Sequence, residues 1–338
     1  MNHKLFFSIC LSVLSFQILF SQDSLVVSEH LQNIFLVDAH VHVGLKYENG
    51  IVKSDELEYF SDRGLNAFIF GMPVDRSRTD NLLARITEEV KQIQILTSEN
   101  PGMAFINSNR PELSEISSET VSLFLSIEYF HGVFRKNLVA VQAYKNLGIR
   151  FITLIDNSAD GIFEKNATLS SFGKQLIDEM NRIGIGVDVS HLSGKKLLDV
   201  INYSKSPVIA SHSAAYSISG ENGTLSNKAL AALKENSGYV MLTFNESDLF
   251  GDRINNGSGF KQLLKHIDHI RKYVGIERIG IGTDYQAAGK YIPQDMNHKQ
   301  VIDEIKKNML THGYSEQEIN GVLGLNLMDF LNYLDGSG

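Results

Sequence analysis

The sequence predicts an α/β protein, a single (β/α)8 TIM barrel with extra C-terminal helices, on three observations. Short apolar runs alternate with longer amphipathic ones, eight times over. The runs are rich in Val, Ile and Phe and lack strict polar alternation, as strands buried on both faces do. Residues able to bind metal or move protons gather where those runs end, the face on which barrels build their sites.

The chain opens differently. Lys4 precedes an apolar run, LFFSICLSVLSFQILF, followed by Ser21-Gln22-Asp23. A basic start, an apolar core and a small residue before a polar turn read as a signal peptide over residues 1–22. An uncleaved anchor is the alternative, though the run is shorter than the roughly 20 residues of a spanning helix. The expectation is a secreted or periplasmic protein with no stable membrane insertion after cleavage. Cys10, the only cysteine, lies inside this run, so a mature chain of 23–338 has no thiol ligand and no disulfide.

Eight strands follow in order: Ile34–Val43, Leu65–Val74, Ser122–Phe130, Ile149–Ile155, Ile185–His191, Pro207–Ser213, Tyr239–Asn245 and Arg278–Tyr285. Helical patterns lie between them at Asp80–Thr97, Gly173–Ile183, Gly194–Tyr203, Asn227–Glu235 and Phe260–Val274. Gly148, Gly184, Gly238 and Gly275 stand just before strands, where a helix stop belongs. A doubly wound open sheet shares this pattern over six strands; eight repeats favour the barrel. Asp295–Leu334 predicts two or three further helices, and no low-complexity linker divides the chain. The polar stretches 75–80 and 246–259 are expected to be lids. A net charge of −8 argues against nucleic-acid and anionic-membrane partners.

His40 and His42 end the first strand, two residues apart and so on one face. Glu128 ends the third, Asp156 follows the fourth, His191 ends the fifth, His212 the sixth and Asp284 the eighth. Singly, each has an ordinary reading: a hydrogen-bonded rim histidine, or an aspartate capping the next helix. Together, four histidines and a glutamate on one rim are costly to bury unless a divalent cation satisfies them. His131, in the loop past Glu128, is a candidate neighbour of that set. His266 and His269, three apart on one helix, read as structural residues on one surface.

In order, DAHVH (38–42), SIE (126–128), VDVSH (187–191), ASHS (210–213) and GIGTD (280–284) resemble the membrane (renal-type) dipeptidase family, the zinc peptidases of family M19. The stretches 171–193, 206–217 and 267–284 are especially similar, with an echo in GVLGLN at 321–326. The resemblance implies a metal-dependent hydrolase barrel holding two zinc ions, with one ion as the lesser alternative. His40 and the residue at 42 would bind the first, His191 and His212 the second, and Glu128 would bridge them. Asp284 would be the acid/base, with a metal-bridging hydroxide attacking the peptide bond of a dipeptide. It also allows a homodimer, since relatives often pair.

This chain departs from the family at three positions. His42 stands where the family has Asp, and Asp156 where it has a substrate-contacting His. The position of the family's Arg, which grips the substrate carboxylate, falls near Gly223, where the nearest basic residue is Lys228. Exchanging a carboxylate at 42 for one at 156 leaves the site's charge unchanged, so Asp156 either caps the next helix or compensates for His42, as a ligand or as partner to a metal-bound histidine. The expected partner is a small peptide or amide. The alternatives are another amide, a lactam or a lactone hydrolysed by the same centre, or a catalytically silent metal-binding relative.

Overall fold

The computed structural model describes residues 36–42, 46–48, 51–53, 65–73, 81–107, 116, 120–128, 137–155, 161–252, 259–285 and 298–336. The leader-like residues 1–22 lie outside them. All eight predicted strands form: β1 (Val37–Val41), β2 (Ala67–Pro73), β3 (Val121–Glu128), β4 (Ile149–Thr153), β5 (Gly186–Asp188), β6 (Ile209–Ser213), β7 (Tyr239–Leu242) and β8 (Ile279–Ile281). Each pairs in parallel with its neighbours in sequence, and β1 with β8 closes the circle. The result is a closed (β/α)8 barrel. The long registers are clearest between β2 and β3, from Ala67 opposite Ser122 to Pro73 opposite Glu128.

Two features go beyond the expected eight strands. Lys46–Glu48 and Ile51–Lys53 pair as an antiparallel hairpin after β1. Met103–Phe105 pairs in parallel with the first residues of β3, Met103 opposite Val121. Because β2 occupies one whole edge of β3, this short strand and β4 share the other, β4 joining from Leu125 onward.

The helices of the outer layer form where apolar residues recur at helical spacing. Helix α1 (Leu82–Glu99) buries Leu82, Ile86, Val90, Ile93 and Thr97. Helix α2 (Val139–Asn146) leads into β4. Helix α3 (Ser171–Ile183) starts at Ser170, whose side chain accepts from the Gly173 N–H, and ends at Gly184 in the left-handed conformation (φ 73°). It buries Leu176, Ile177, Met180 and Ile183, and truncating one such leucine to alanine typically costs about 2–5 kcal/mol. Helices α4 (Gly194–Tyr203), α5 (Asn227–Asn236) and α6 (Gly259–Val274) follow. After α5 the left-handed residue is Ser237 (φ 62°), not Gly238. Gly238 is needed instead for space: a Cβ there would lie 2.7 Å from Leu233 Cδ2 and 3.0 Å from the Val208 carbonyl.

The predicted C-terminal helices are α7 (His298–Thr311), α8 (Glu316–Asn320) and α9 (Asn326–Gly336), with a π-helical turn kinked at Gly324 over Gly321–Leu325 before α9. Ser315 and Glu318 form a reciprocal capping box at α8. Helix α9 seals the end of the barrel where the strands begin. Its Leu327, Phe330, Leu331 and Leu334 join Val37, Ala67, Phe124, Phe151 and Ile209 in one apolar cluster. Phe330 packs on the Tyr239 ring at 5.2 Å, and Arg150 of β4 donates to the Leu331 carbonyl at 3.1 Å. The opposite end of the barrel stays open for polar residues. No helix among the described residues is long and apolar enough to cross a membrane.

Candidate metal centre

Five strands deliver side chains to the end where the strands finish. Glu128 is the last residue of β3 and His212 lies within β6. His40 lies within β1, and His42 follows it, its N–H donating to the Tyr285 carbonyl at 3.0 Å. His191 comes three residues after β5, in a turn closed by the Leu192 N–H on the Val189 carbonyl at 2.9 Å. Asp284 comes three residues after β8, where its N–H donates to the His40 carbonyl at 2.9 Å. Its φ of +58° is left-handed, a strain of roughly 1–3 kcal/mol for a non-glycine residue and one that collects at functional sites.

Glu128 stands between two histidine pairs and offers each a different oxygen. Oε2 lies 2.9 Å from His42 Nε2 and 3.2 Å from His40 Nε2. Oε1 lies 2.6 Å from His191 Nε2 and 3.6 Å from His212 Nε2. The Nε2 atoms are 3.2 Å apart in the first pair and 3.3 Å in the second. Asp284 Oδ1 joins the first pair, 3.5 Å from His42 Nε2 and 4.0 Å from His40 Nε2. The His40 and His212 rings stack at 4.1 Å, so the halves touch. Gly71 makes room for His40, since a Cβ there would lie 2.4 Å from its Cε1.

This donor set fits a divalent metal. Bonds of about 2.0–2.1 Å at a tetrahedral ion place ligand atoms about 3.3 Å apart. Two imidazole nitrogens at 3.2 Å repel unless a proton or a cation lies between them. His40, His42 and Asp284 form one group with converging donor atoms, and His40, Glu128 and His212 another. His and carboxylate donors suit Zn²⁺ and other first-row divalent ions.

The electrostatics point the same way. Burial pushes the Glu128 carboxyl up, but the surrounding imidazoles, His40 first, outweigh it and hold it well below the usual carboxylate range. Asp284 is likewise held low, its burial outweighed by His42 and the neighbouring histidines. Burial pushes His42 down, but Asp284 and Glu128 raise it to about 9. Burial and then the charge of His40 push His212 down to about 4. The site therefore keeps two ionised carboxylates in a low-dielectric pocket, where a cation is worth most.

The structure thus brings together His40, His42, Glu128, His191, His212 and Asp284. Asp156 and His131 lie outside the described residues, as do residues 75–80 of the first expected lid. Gly223 sits in an exposed turn at φ +100°. Two expectations are corrected. Glu246–Phe250, within the second expected lid, is a short helix that buries Leu249 and Phe250, and residues 253–258 of that stretch lie outside the described residues. His266 is fully buried rather than on a surface shared with His269. Its Nδ1 accepts from the Ala215 N–H at 3.0 Å and its Nε2 donates to the Leu249 carbonyl at 3.0 Å, joining the loops after β6 and β7.

Sequence reasoning missed two groups of acids. Asp38 and Asp188 sit within β1 and β5, fully buried beneath the histidines. Asp38 accepts from the Thr283 hydroxyl at 2.6 Å, the Thr283 N–H at 2.9 Å and the His40 N–H at 3.1 Å, tying β1 to the approach to Asp284. The signal was present: a carboxylate inside an otherwise apolar strand, two or three residues before a histidine. Asp248 and Glu221 have no such signal. Burial, then the negative charges of Asp284 and Glu221, push Asp248 up to about 6, so all three acids face one region. The loops carrying them are packed together, and a Cβ on Gly251 would lie 2.4 Å from the Ser219 carbonyl.

The model of the membrane dipeptidase family (peptidase family M19) matches residues 30–334. The chain belongs to this family. Among curated relatives, Dipeptidase 3 of Rattus norvegicus is 32% identical over 224 residues, covering 63% of this chain and 45% of that protein. The chain thus spans about half the length of the curated relatives it matches. Two solved structures share the fold. One is the dipeptidase AC, a metallopeptidase of family M19, with a TM-score of 0.75 at 21% identity over 90% of this chain and 99% of that one. The other is a metallopeptidase from Rhodobacter sphaeroides liganded with a phosphinate mimic of the dipeptide L-Ala-D-Ala, with a TM-score of 0.72 at 20% identity over 88% and 98%.

Proposed function

We propose that this member of the membrane dipeptidase family is a metal-dependent dipeptidase with a dinuclear zinc centre. The observation that carries the reading is Glu128, whose two oxygens face separate histidine pairs as a bridging carboxylate must. His40 and His42 would hold one ion, His191 and His212 the other. What zinc supplies when bound is an acidified water and a polarised carbonyl. Asp284 sits beside the first pair, ionised and therefore able to accept a proton and return it to the leaving amine. Relatives named as dipeptidases support a small peptide as substrate. The leader-like residues 1–22 support action outside the cytoplasm.

A second reading keeps the centre and changes the substrate. Position 223, near which the family resemblance expects an arginine, is a glycine, and the acids nearby are Glu221 and Asp248. A free carboxylate binds best to a guanidinium fork, and acids in its place repel it. This favours an amide, lactam or lactone without that carboxylate. The test is metal analysis together with a hydrolysis screen of L,L- and L,D-dipeptides against dipeptide amides, lactams and lactones without a free carboxylate. The dipeptidase reading expects about two equivalents of metal and dipeptide turnover. Fully metallated protein that cleaves a lactone, a lactam or an amide lacking the carboxylate, but no dipeptide, rejects it for the second reading.

A further inference from the structure

His212 does not stand alone on β6. Its Nδ1 lies 3.0 Å from the hydroxyl of Ser211, and that hydroxyl lies 2.6 Å from Asp188 Oδ2. The direction of these bonds follows from a count of protons. Asp188 receives the Thr153 hydroxyl and the Ser211 hydroxyl on Oδ2, each at 2.6 Å. On Oδ1 it receives the Ser190 hydroxyl at 2.6 Å and the N–H groups of Ser190 and Ser211 at 3.1 Å. A carboxylate so placed only accepts. Each hydroxyl has one proton, and the serines have given theirs to Asp188. Ser190 Oγ then accepts the His212 backbone N–H at 3.2 Å, and Ser211 Oγ, its proton on the 2.6 Å contact to Asp188 rather than on Ser190 Oγ at 3.1 Å, accepts from His212 Nδ1–H. The Nε2 lone pair is left pointing at Glu128 Oε1 and His191.

We propose that Ser211 and Asp188 are positioning residues that hold His212 in the Nδ1–H tautomer, with Nε2 directed into the metal centre. This rests on the metal-centre reading for its consequence but not for its geometry. A hydroxyl inserted between carboxylate and imidazole does the work that a direct carboxylate–histidine pair does at other metal sites. The other half of the centre is built differently. His40 Nδ1 has no hydrogen-bond partner among the described residues, and Asp38 takes the His40 backbone N–H rather than its ring. The His40 ring is held by packing against Gly71 and by stacking on His212. The relay therefore tunes one half of the centre and leaves the other alone.

Two measurements on the full chain test this. The first is the imidazole ¹⁵N spectrum of metal-free protein. Wild type is expected to show His212 as the Nδ1–H tautomer. Asp188→Asn places an amide donor against Ser211, so the hydroxyl turns toward His212 and the tautomer switches to Nε2–H. The second is zinc titration against a chromophoric chelator. Ser211→Ala is expected to weaken one equivalent by about 10- to 100-fold and to leave the other near its wild-type affinity. Unchanged affinity for both equivalents in Ser211→Ala overturns the positioning role, as does a wild-type His212 protonated on Nε2. Wild-type protein that binds no zinc overturns the metal-centre reading instead, and the tautomer spectrum then decides the relay by itself.

Discussion

Where the barrel strands begin, Asp335 meets Arg150 Nη2 at 2.7 Å and Lys145 Nζ at 3.6 Å, with its side chain 4% exposed. Where they end, Glu128 and Asp284 meet imidazoles at 2.6–4.0 Å. Both regions bury carboxylates, yet their balances differ. A guanidinium fork is the best match for a carboxylate, so Arg150 offsets Asp335 from within the fold and that cluster needs no ligand. Lys145, pushed down by burial and by the charge of Arg150, is held in place by Asp335 and by the Gly184 carbonyl at 2.9 Å. The histidines at the other end can release their protons, so a divalent cation can take the place of those protons beside Glu128 and Asp284. A buried charge closed by permanent cations holds the fold together. One faced by titratable groups is available for chemistry.

The predictions that follow set one end against the other. The largest effect is expected from Asp284→Asn, which should lower turnover by about 10²–10⁴-fold while metal content and melting temperature stay near wild type. Loss of metal with the activity would make Asp284 a ligand first. At the other end, Asp335→Ala strands Arg150 and Lys145 without their counter-charge. It should cost about 3–5 kcal/mol in denaturant unfolding of metal-free protein. Glu128→Gln in the same assay should cost less, because its histidine partners can shed their protons where Arg150 cannot. Equal losses in the two variants would erase the contrast.

Metal removal comes next. Chelation should lower the stability of wild type by about 2.7 kcal/mol where free metal had stood at 100 times its Kd, and should leave Glu128→Gln almost unchanged. The smallest effect lies away from both ends, at Tyr314. Its hydroxyl donates to Asp268 at 2.7 Å, joining the segment before α8 to α6. Burial, then that bond, push Tyr314 up to about 12. The proton is therefore held more tightly in the folded state, and the stability it contributes is full below the unfolded value near 10 and lost as pH rises toward 12. Unfolding curves at about pH 9 and pH 11 should show wild type losing more than Tyr314→Phe.

Much of this was legible in the chain. Eight apolar runs became eight strands because strands buried on both faces need continuous apolar residues, a local pattern. The rim histidines, Glu128 and Asp284 were legible because barrel geometry places every strand end on one face. Met103–Phe105 was not, since three residues carry too little pattern to distinguish a strand from a loop. The burial of His266 was not legible either, since its spacing from His269 resembles that of an exposed pair. The acceptor and donor that bury it come from Ala215 and Leu249, on other loops.

The sequence by itself determined the class of fold, the order of its strands and which side chains would stand at their ends. Periodicity and strand ends are properties of neighbouring residues, and the chain states them directly. Only the tertiary structure decided what those side chains face. Thr283 reaches Asp38 across 245 residues, Arg150 reaches the Leu331 carbonyl across 181, and Ser211 meets Asp188 across 23. Hydrogen-bond direction, charge balance and the orientation of a ring depend on atoms brought together by closing the barrel, and no local pattern encodes them.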